Sequence, residues 1–125
     1  MENKRQLQVG ETIKRQFSLL LQQEGSYVYG AEPFVTVTSV KMTPDLGLAR
    51  VYLSVYNTEN KQAVILEMEE AHHRLKQGLH YRLRKHLRKM PELEYYLDDT
   101  LDEMYRLNNL FDRLHDENQM GNEEG

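Results

Sequence analysis

Cysteine is absent from this chain of 125 residues, which excludes disulfide bridges, a thiol nucleophile and any cysteine-based zinc site. A reducing, cytoplasmic setting is the expectation that follows. No apolar run approaches the roughly 18–20 residues that span a bilayer, and the opening MENKRQLQVGETIKRQ lacks the apolar stretch of a secretory signal. Gly25, Gly30, Gly47 and Gly78 form neither a GxxxxGKS/T nor a GxGxxG phosphate loop, and nothing marks a nucleophile elbow. Tryptophan is missing too, so eight tyrosines supply most of the aromatic surface. The most informative absence is of negative charge. From Ala71 to Pro91 there is no Asp or Glu at all.

What fills that stretch is Arg74, Lys76, Arg82, Arg84, Lys85, Arg88 and Lys89, a local charge of +7 on a chain whose net charge is −4. Residues 1–70 carry net −2 and residues 92–125 net −9. A cationic stripe on a protein that as a whole repels polyanions points to a directed contact with nucleic acid. The plain alternative is a solvated face neutralised by carboxylates elsewhere. Within the stretch itself no i,i+4 ion pair is available, since both signs are needed for one.

The hydrophobic pattern sets out the elements. Leu7, Val9, Ile13, Phe17, Leu20 and Leu21 recur at helical spacing, predicting a first helix that stops at Gly25 in the left-handed conformation. FVTVTSVKM (34–42) and ARVYLSVY (49–56) alternate as strands, and TPDLG (43–47) between them makes an antiparallel pair the expectation. Thr58 is the candidate cap for a helical run through Val64, Ile65, Met68, Leu75, Leu79, Leu83, Leu87 and Met90, ended by Pro91. So long a run in a small domain predicts a break between Ala71 and Gly78. Leu93, Tyr95 and Leu97 mark a third strand, and Thr100 to Glu103 reads as a capping box opening a last helix. The closing HDENQMGNEEG is acidic and poor in apolar residues, so a domain of residues 1–116 followed by a disordered tail, 117–125, is expected. The order α-β-β-α-α-β-α gives an α+β domain of two layers, its three strands covered by helices on one face.

Three constellations compete with the basic run. His72, His73, His80 and His86 lack the i,i+4 spacing of a helical metal pair, and no metal is expected there. Asp98, Asp99 and Asp102 resemble a DDxxD metal–diphosphate motif, but a chain this size lacks the cavity for one. Acids at a helix start explain them better. Most tyrosines read as core and strand filler; Tyr81 stands apart because it lies inside the basic run. The candidate nucleic-acid-binding set is Lys4, Arg5, Arg74, Lys76, Tyr81, Arg82, Arg84, Lys85, Arg88 and Lys89, with Lys14 and Arg15 as helpers.

The order α-β-β-α-α-β is that of a type II KH domain. VTVTSVKMTPDLGLARVYLSVY (35–56), with Asp45, Ala49 and Val51, resembles the strand–turn–strand segment of the ribosome-binding factor A family. LRKHLRKMPELEYYLDDTLDEMYRLNNLFDRL (83–114) resembles its other signature: a basic helix, Pro-Glu-Leu, an aromatic strand, Asp98 and a closing helix. The likeness covers about residues 5–115. It implies a single KH-like domain with an extra C-terminal helix, and a bend at an Ala-x-Gly between the central helices in place of the GxxG loop. Here that site reads Ala71-His72-His73, so the glycine is missing and Gly78 is the other candidate for the bend. The resemblance further implies a non-catalytic factor without cofactor. Such a factor binds the small (30S) ribosomal subunit and its RNA, and assists late maturation and 5′-end processing, particularly in the cold. A monomer is the simplest expectation. The alternative reading is a protein-interaction module whose basic helix meets an acidic partner.

Overall fold

The computed structural model describes residues 2–98, so the closing helix expected from Thr100, its capping box and the acidic segment 117–125 lie outside the described residues. Within them the elements are α1 (Lys4–Glu24), α2 (Ser26–Tyr29), β1 (Phe34–Met42), β2 (Leu48–Tyr56), α3 (Lys61–Glu70), α4 (His72–Leu83) and β3 (Glu92–Leu97). β2 is the central strand, antiparallel to β1 and parallel to β3. The parallel pairing follows from the crossover, since two helices carry the chain from β2 back to the same end of the sheet before β3.

One face of the sheet is buried. Val37, Met42, Ala49, Val51, Leu53, Val55, Leu93 and Tyr95 point from it into a single core closed by Val9, Ile13, Phe17 and Leu20 of α1, Val64, Ile65 and Met68 of α3, and Leu75, Leu79 and Leu83 of α4. The valines of β1 do not keep strict alternation. Val35 and Val37 share a face, yet Val40 and Met42 also pack on the core, which a regular strand forbids. A bulge between Val37 and Ser39 resolves the conflict by inserting Thr38. The Thr38 hydroxyl then donates to Asp98 Oδ2 at 2.6 Å, tying the edge strand to the end of β3.

The start of α1 is fixed by a capping box. The Asn3 side-chain oxygen accepts from the Gln6 amide at 2.8 Å, and Gln6 Oε1 accepts from the Asn3 amide at 2.9 Å. Gln6, buried, also donates Nε2 to the Met42 carbonyl at 2.8 Å, while Glu2 accepts from the Met42 amide at 3.1 Å. The helix start is thereby stitched to the last residue of β1. Further along, Gly10 lies over β1 so closely that a Cβ there would sit 2.7 Å from the Val40 carbonyl oxygen. Alanine would improve helix propensity by about 1 kcal/mol, but overpacking against fixed backbone costs about 1–3 kcal/mol. Gly10→Ala is therefore expected to lower stability by about 1 kcal/mol, read as a lower urea midpoint at unchanged slope. A midpoint at or above the parent's would show that α1 can rise off the sheet at no loss.

Three local expectations are corrected and a fourth is met. Gly25 is right-handed (φ −58°), and the chain continues through the single turn α2 before Gly30 takes the positive φ of 91°. Gly25 is needed for space instead, because a Cβ would overlap the Tyr29 hydroxyl. The cap of α3 is Asn60, whose side chain accepts from the Ala63 amide, not Thr58. The break falls within the expected range, at Ala71 (φ −95°, ψ 19°), and Gly78 stays inside α4. Lastly, α4 ends at Leu83 rather than continuing to Pro91. Leu87 and Met90 keep the helical spacing but reach the core from an irregular segment that crosses to the sheet. There Pro91 is buried and the Glu92 amide bonds the Gly47 carbonyl at 2.9 Å. Proline can neither donate to a helix nor tolerate a helical residue before it, so the chain has to be extended at this point.

Candidate nucleic-acid interface

Helix α4 is anchored by Leu75, Leu79 and Leu83, one residue per turn, all buried. Its opposite side is therefore committed to solvent by geometry alone. Against α1 it packs tightly at Gly78, where a Cβ would stand 2.9 Å from Leu20 Cδ1. Beside that contact runs an open groove of about 530 Å³, bordered by Gln16, Gln23 and Glu24 of α1 and by Tyr81, Arg82, Arg84 and Lys85.

The seven cations of the run do not form one continuous rod. Arg74 Nε lies 3.7 Å from Glu24 Oε1, with its guanidinium 5.3 Å from the Tyr27 ring centroid. Lys76 Nζ donates to Glu92 Oε2 at 2.8 Å, and this bond with its charge holds the Glu92 carboxyl below the usual carboxylate range. These two cations are paired by carboxylates from distant elements. The remaining five gather at and beyond the end of α4. Arg82, half-buried, donates to Gln23 Oε1 across the groove. Arg84 caps the helix and lays its guanidinium 4.2 Å from the Tyr81 ring centroid. Arg84, Lys85, Arg88 and Lys89 are exposed. Among the described residues none of the five forms an ion pair. Part of this placement serves the helix itself, since cations near a C-terminus offset its partial negative charge. That need stops within the last turn and does not reach Arg88 or Lys89.

Arg88 and Lys89 lie on the crossing segment, not on a helix as the periodicity implied. The segment runs to the hairpin turn, where Asp45 accepts from the Gly47 amide at 3.0 Å and the Thr43 hydroxyl at 2.7 Å. Those bonds, chiefly the amide, lower the Asp45 pKa, and the charge of Lys89 lowers it further. Lys4 and Arg5, both exposed, start α1 at this same end, beside Met42. Nine of the ten candidate side chains are cationic, and the structure brings five of them onto one continuous segment, adds Lys4 and Arg5 at the turn end, and sets Arg74 and Lys76 aside in pairs.

Other candidate sites separate from this surface. Among the described residues no three His, Cys, Asp or Glu side chains converge as metal ligands, and no helix is long and apolar enough to cross a membrane. His72 Nδ1 is 3.3 Å from the Tyr95 hydroxyl. Tyr95 is the filler that the pattern implied: buried, 6.0 Å from the Phe17 ring, its hydroxyl pushed well above the ordinary phenol value by burial. Asp98 bonds Thr38, whereas Asp99 and Asp102 lie outside the described residues. A larger concavity, about 1370 Å³, opens at the opposite end of the hairpin between Phe34 and Tyr56, but Glu32 and Glu59 line it. Gln23, Glu24 and Glu92 were not legible as partners of the basic run, because each meets its cation across a long stretch of sequence.

The ribosome-binding factor A family profile matches residues 5–111. The chain is 32% identical over 114 residues to ribosome-binding factor A of Cytophaga hutchinsonii, covering 91% of this chain and 85% of that one. It is 39% identical over 99 residues to the Chlorobaculum tepidum protein of the same name, covering 74% and 82%. In fold it is similar to the crystal structure of ribosome-binding factor A from Thermus thermophilus, with TM-score 0.60, 22% identity and coverage of 74% and 94%. A homology model of the Thermus thermophilus factor, fitted into the cryo-EM map of a 30S complex of that factor, aligns with TM-score 0.56, 24% identity and coverage of 71% and 90%. The fold is the KH-like α+β arrangement anticipated from the element order. With a profile match over most of its length and relatives above 30% identity covering most of theirs, the chain belongs to the ribosome-binding factor A family.

Proposed function

We propose that the protein is a non-catalytic ribosome assembly factor that docks on the small (30S) ribosomal subunit through the ribosomal RNA. The observation that carries this reading is the gathering of Arg82, Arg84, Lys85, Arg88 and Lys89, none of them in an ion pair among the described residues, on a chain of net charge −4. Cations fixed on a folded surface replace condensed counterions along a phosphate backbone and position the protein without reading bases. The Thermus thermophilus factor placed in a 30S map supports the choice of partner. In this reading the RNA-binding unit spans residues 1–116, the protein acts as a cytoplasmic monomer without cofactor, and the acidic end from residue 117 limits contact with other RNA. It assists late maturation and 5′-end processing of the small-subunit RNA, with greatest importance in the cold.

Sedimentation of the purified chain with immature and mature small subunits tests the proposal. Co-pelleting at low salt, stronger with immature particles and lost as salt rises, is the expected outcome. Failure to pellet with either particle would overturn it. Salt-sensitive capture by an acidic protein in place of RNA would instead favour the protein-interaction reading.

A further inference from the structure

We propose that Tyr81 is a stacking seat for one unpaired base, so that the RNA bound here is a single-stranded or bulged element rather than uninterrupted duplex. This rests on the RNA-docking reading above and names the kind of RNA that the site takes.

Tyr81 is 67% exposed, and α4 is already anchored by Leu75, Leu79 and Leu83, so the fold does not need the ring. Its position between two concavities is more specific. On one side lies the groove with Arg82 and Lys85; on the other, Gln77, His80, Tyr81 and Arg84 line a shallow depression. The guanidinium of Arg84, 4.2 Å from the ring centroid, covers one face and holds the ring by a cation–π contact. Lys85 lines the same groove as Tyr81, so one nucleotide seated there meets both ring and cation. Gln77 and His80 add hydrogen-bonding groups at the rim.

Comparison with the other exposed aromatics sharpens the choice. Tyr27 stands beside Arg74, but that cation is already paired with Glu24, so no free charge stands beside the ring to hold a phosphate. Tyr96 donates to Glu94. Phe34 borders the cleft that Glu32 and Glu59 line. Among the described residues Glu24 is the one carboxylate lining the groove beside Tyr81, and it is engaged by Arg74. An A-form duplex keeps its base faces stacked and its major groove too narrow for side chains, so an aromatic seat is of use only where a base is splayed out. Every base has a stacking face, which makes such a seat tolerant of sequence.

The test uses the intact chain and two RNAs, a short single strand carrying 2-aminopurine and a duplex of equal length. Tyr81→Phe should bind the single strand as the parent does and quench the fluorophore equally. Tyr81→Ala should lose roughly 5- to 160-fold in affinity, the range for one stacked base, with the salt slope unchanged and the melting temperature kept. Arg82→Ala/Lys85→Ala should instead make the slope shallower while leaving quenching at saturation. If Tyr81→Ala binds within twofold of the parent while the charge variant weakens, the seat is refuted and the docking reading stands. Equal or tighter binding of the duplex also refutes the seat. If neither variant changes binding, or neither RNA binds, both fail.

Discussion

Replacing Arg82, Arg84, Lys85, Arg88 and Lys89 together with Ala is expected to reduce affinity for the small subunit by roughly 3 × 10³- to 3 × 10⁴-fold at about 0.1 M salt. The magnitude follows from counterion release. Each phosphate neutralised contributes a slope of about 0.7–0.9 in log K per decade of salt, so five lost contacts make the slope shallower by about 3.5–4.5. Extrapolated from about 1 M, where this contribution vanishes, that slope difference equals the loss at about 0.1 M. Equilibrium binding of labelled protein to subunits across a salt series gives both quantities. Wild-type affinity and slope in the fivefold variant would mean that another surface docks.

Arg74 and Lys76 supply the matching control. Each already has a carboxylate, Glu24 at 3.7 Å and Glu92 at 2.8 Å, so in the free protein neither leaves an unbalanced charge. Exposed pairs of this kind contribute about 0–1 kcal/mol to stability, so Ala at both positions leaves the fold intact. The contrast between the two cation groups is a statement about position, because all seven lie in one short run of sequence.

That contrast also marks where sequence reasoning succeeds and where it stops. The alternation in residues 49–56 determines which side chains enter the core, since Ala49, Val51, Leu53 and Val55 are all buried. The length of the apolar run after residue 60 announces a break, and the structure places it at Ala71. The end of α4 is a different case. Leu87 and Met90 satisfy helical spacing, yet an irregular segment brings the same two residues to the core, so periodicity alone does not distinguish the two paths. Only the need to reach Gly47 and start a parallel strand at Glu92 decides it, and that is a tertiary demand. Charge behaves likewise. The absence of acids from 71 to 91 removes local pairing, but Glu24 and Glu92 arrive through the packing of α1 and β3. A surface made of side chains from one segment is legible; the partners that cancel part of it are not.

Phe17→Ala is the substitution expected to damage the fold most, by about 3–5 kcal/mol. Phe17 is 0% exposed, sits midway along α1, and packs its ring 6.0 Å from that of Tyr95 on β3. Its removal loses the transfer free energy of the ring and leaves a void that helix and sheet cannot both close. Typical domains hold only about 5–15 kcal/mol in total, so the transition would move down by roughly 10–20 °C. Leu19, two residues on and 39% exposed, is the internal comparison. Leu19→Ala should stay within about 0.5 kcal/mol of the parent. The consequence extends to the surface, because α1 carries Gln23 and Glu24 to their partners Arg82 and Arg74. Partial loss of α1 packing would free Arg74 and loosen the groove beside Tyr81 before global unfolding. Thermal melts of the two variants give the comparison directly. Equal transitions for Phe17→Ala and Leu19→Ala would show that α1 is not held by the core described here, and the groove it borders would lose its rigid wall.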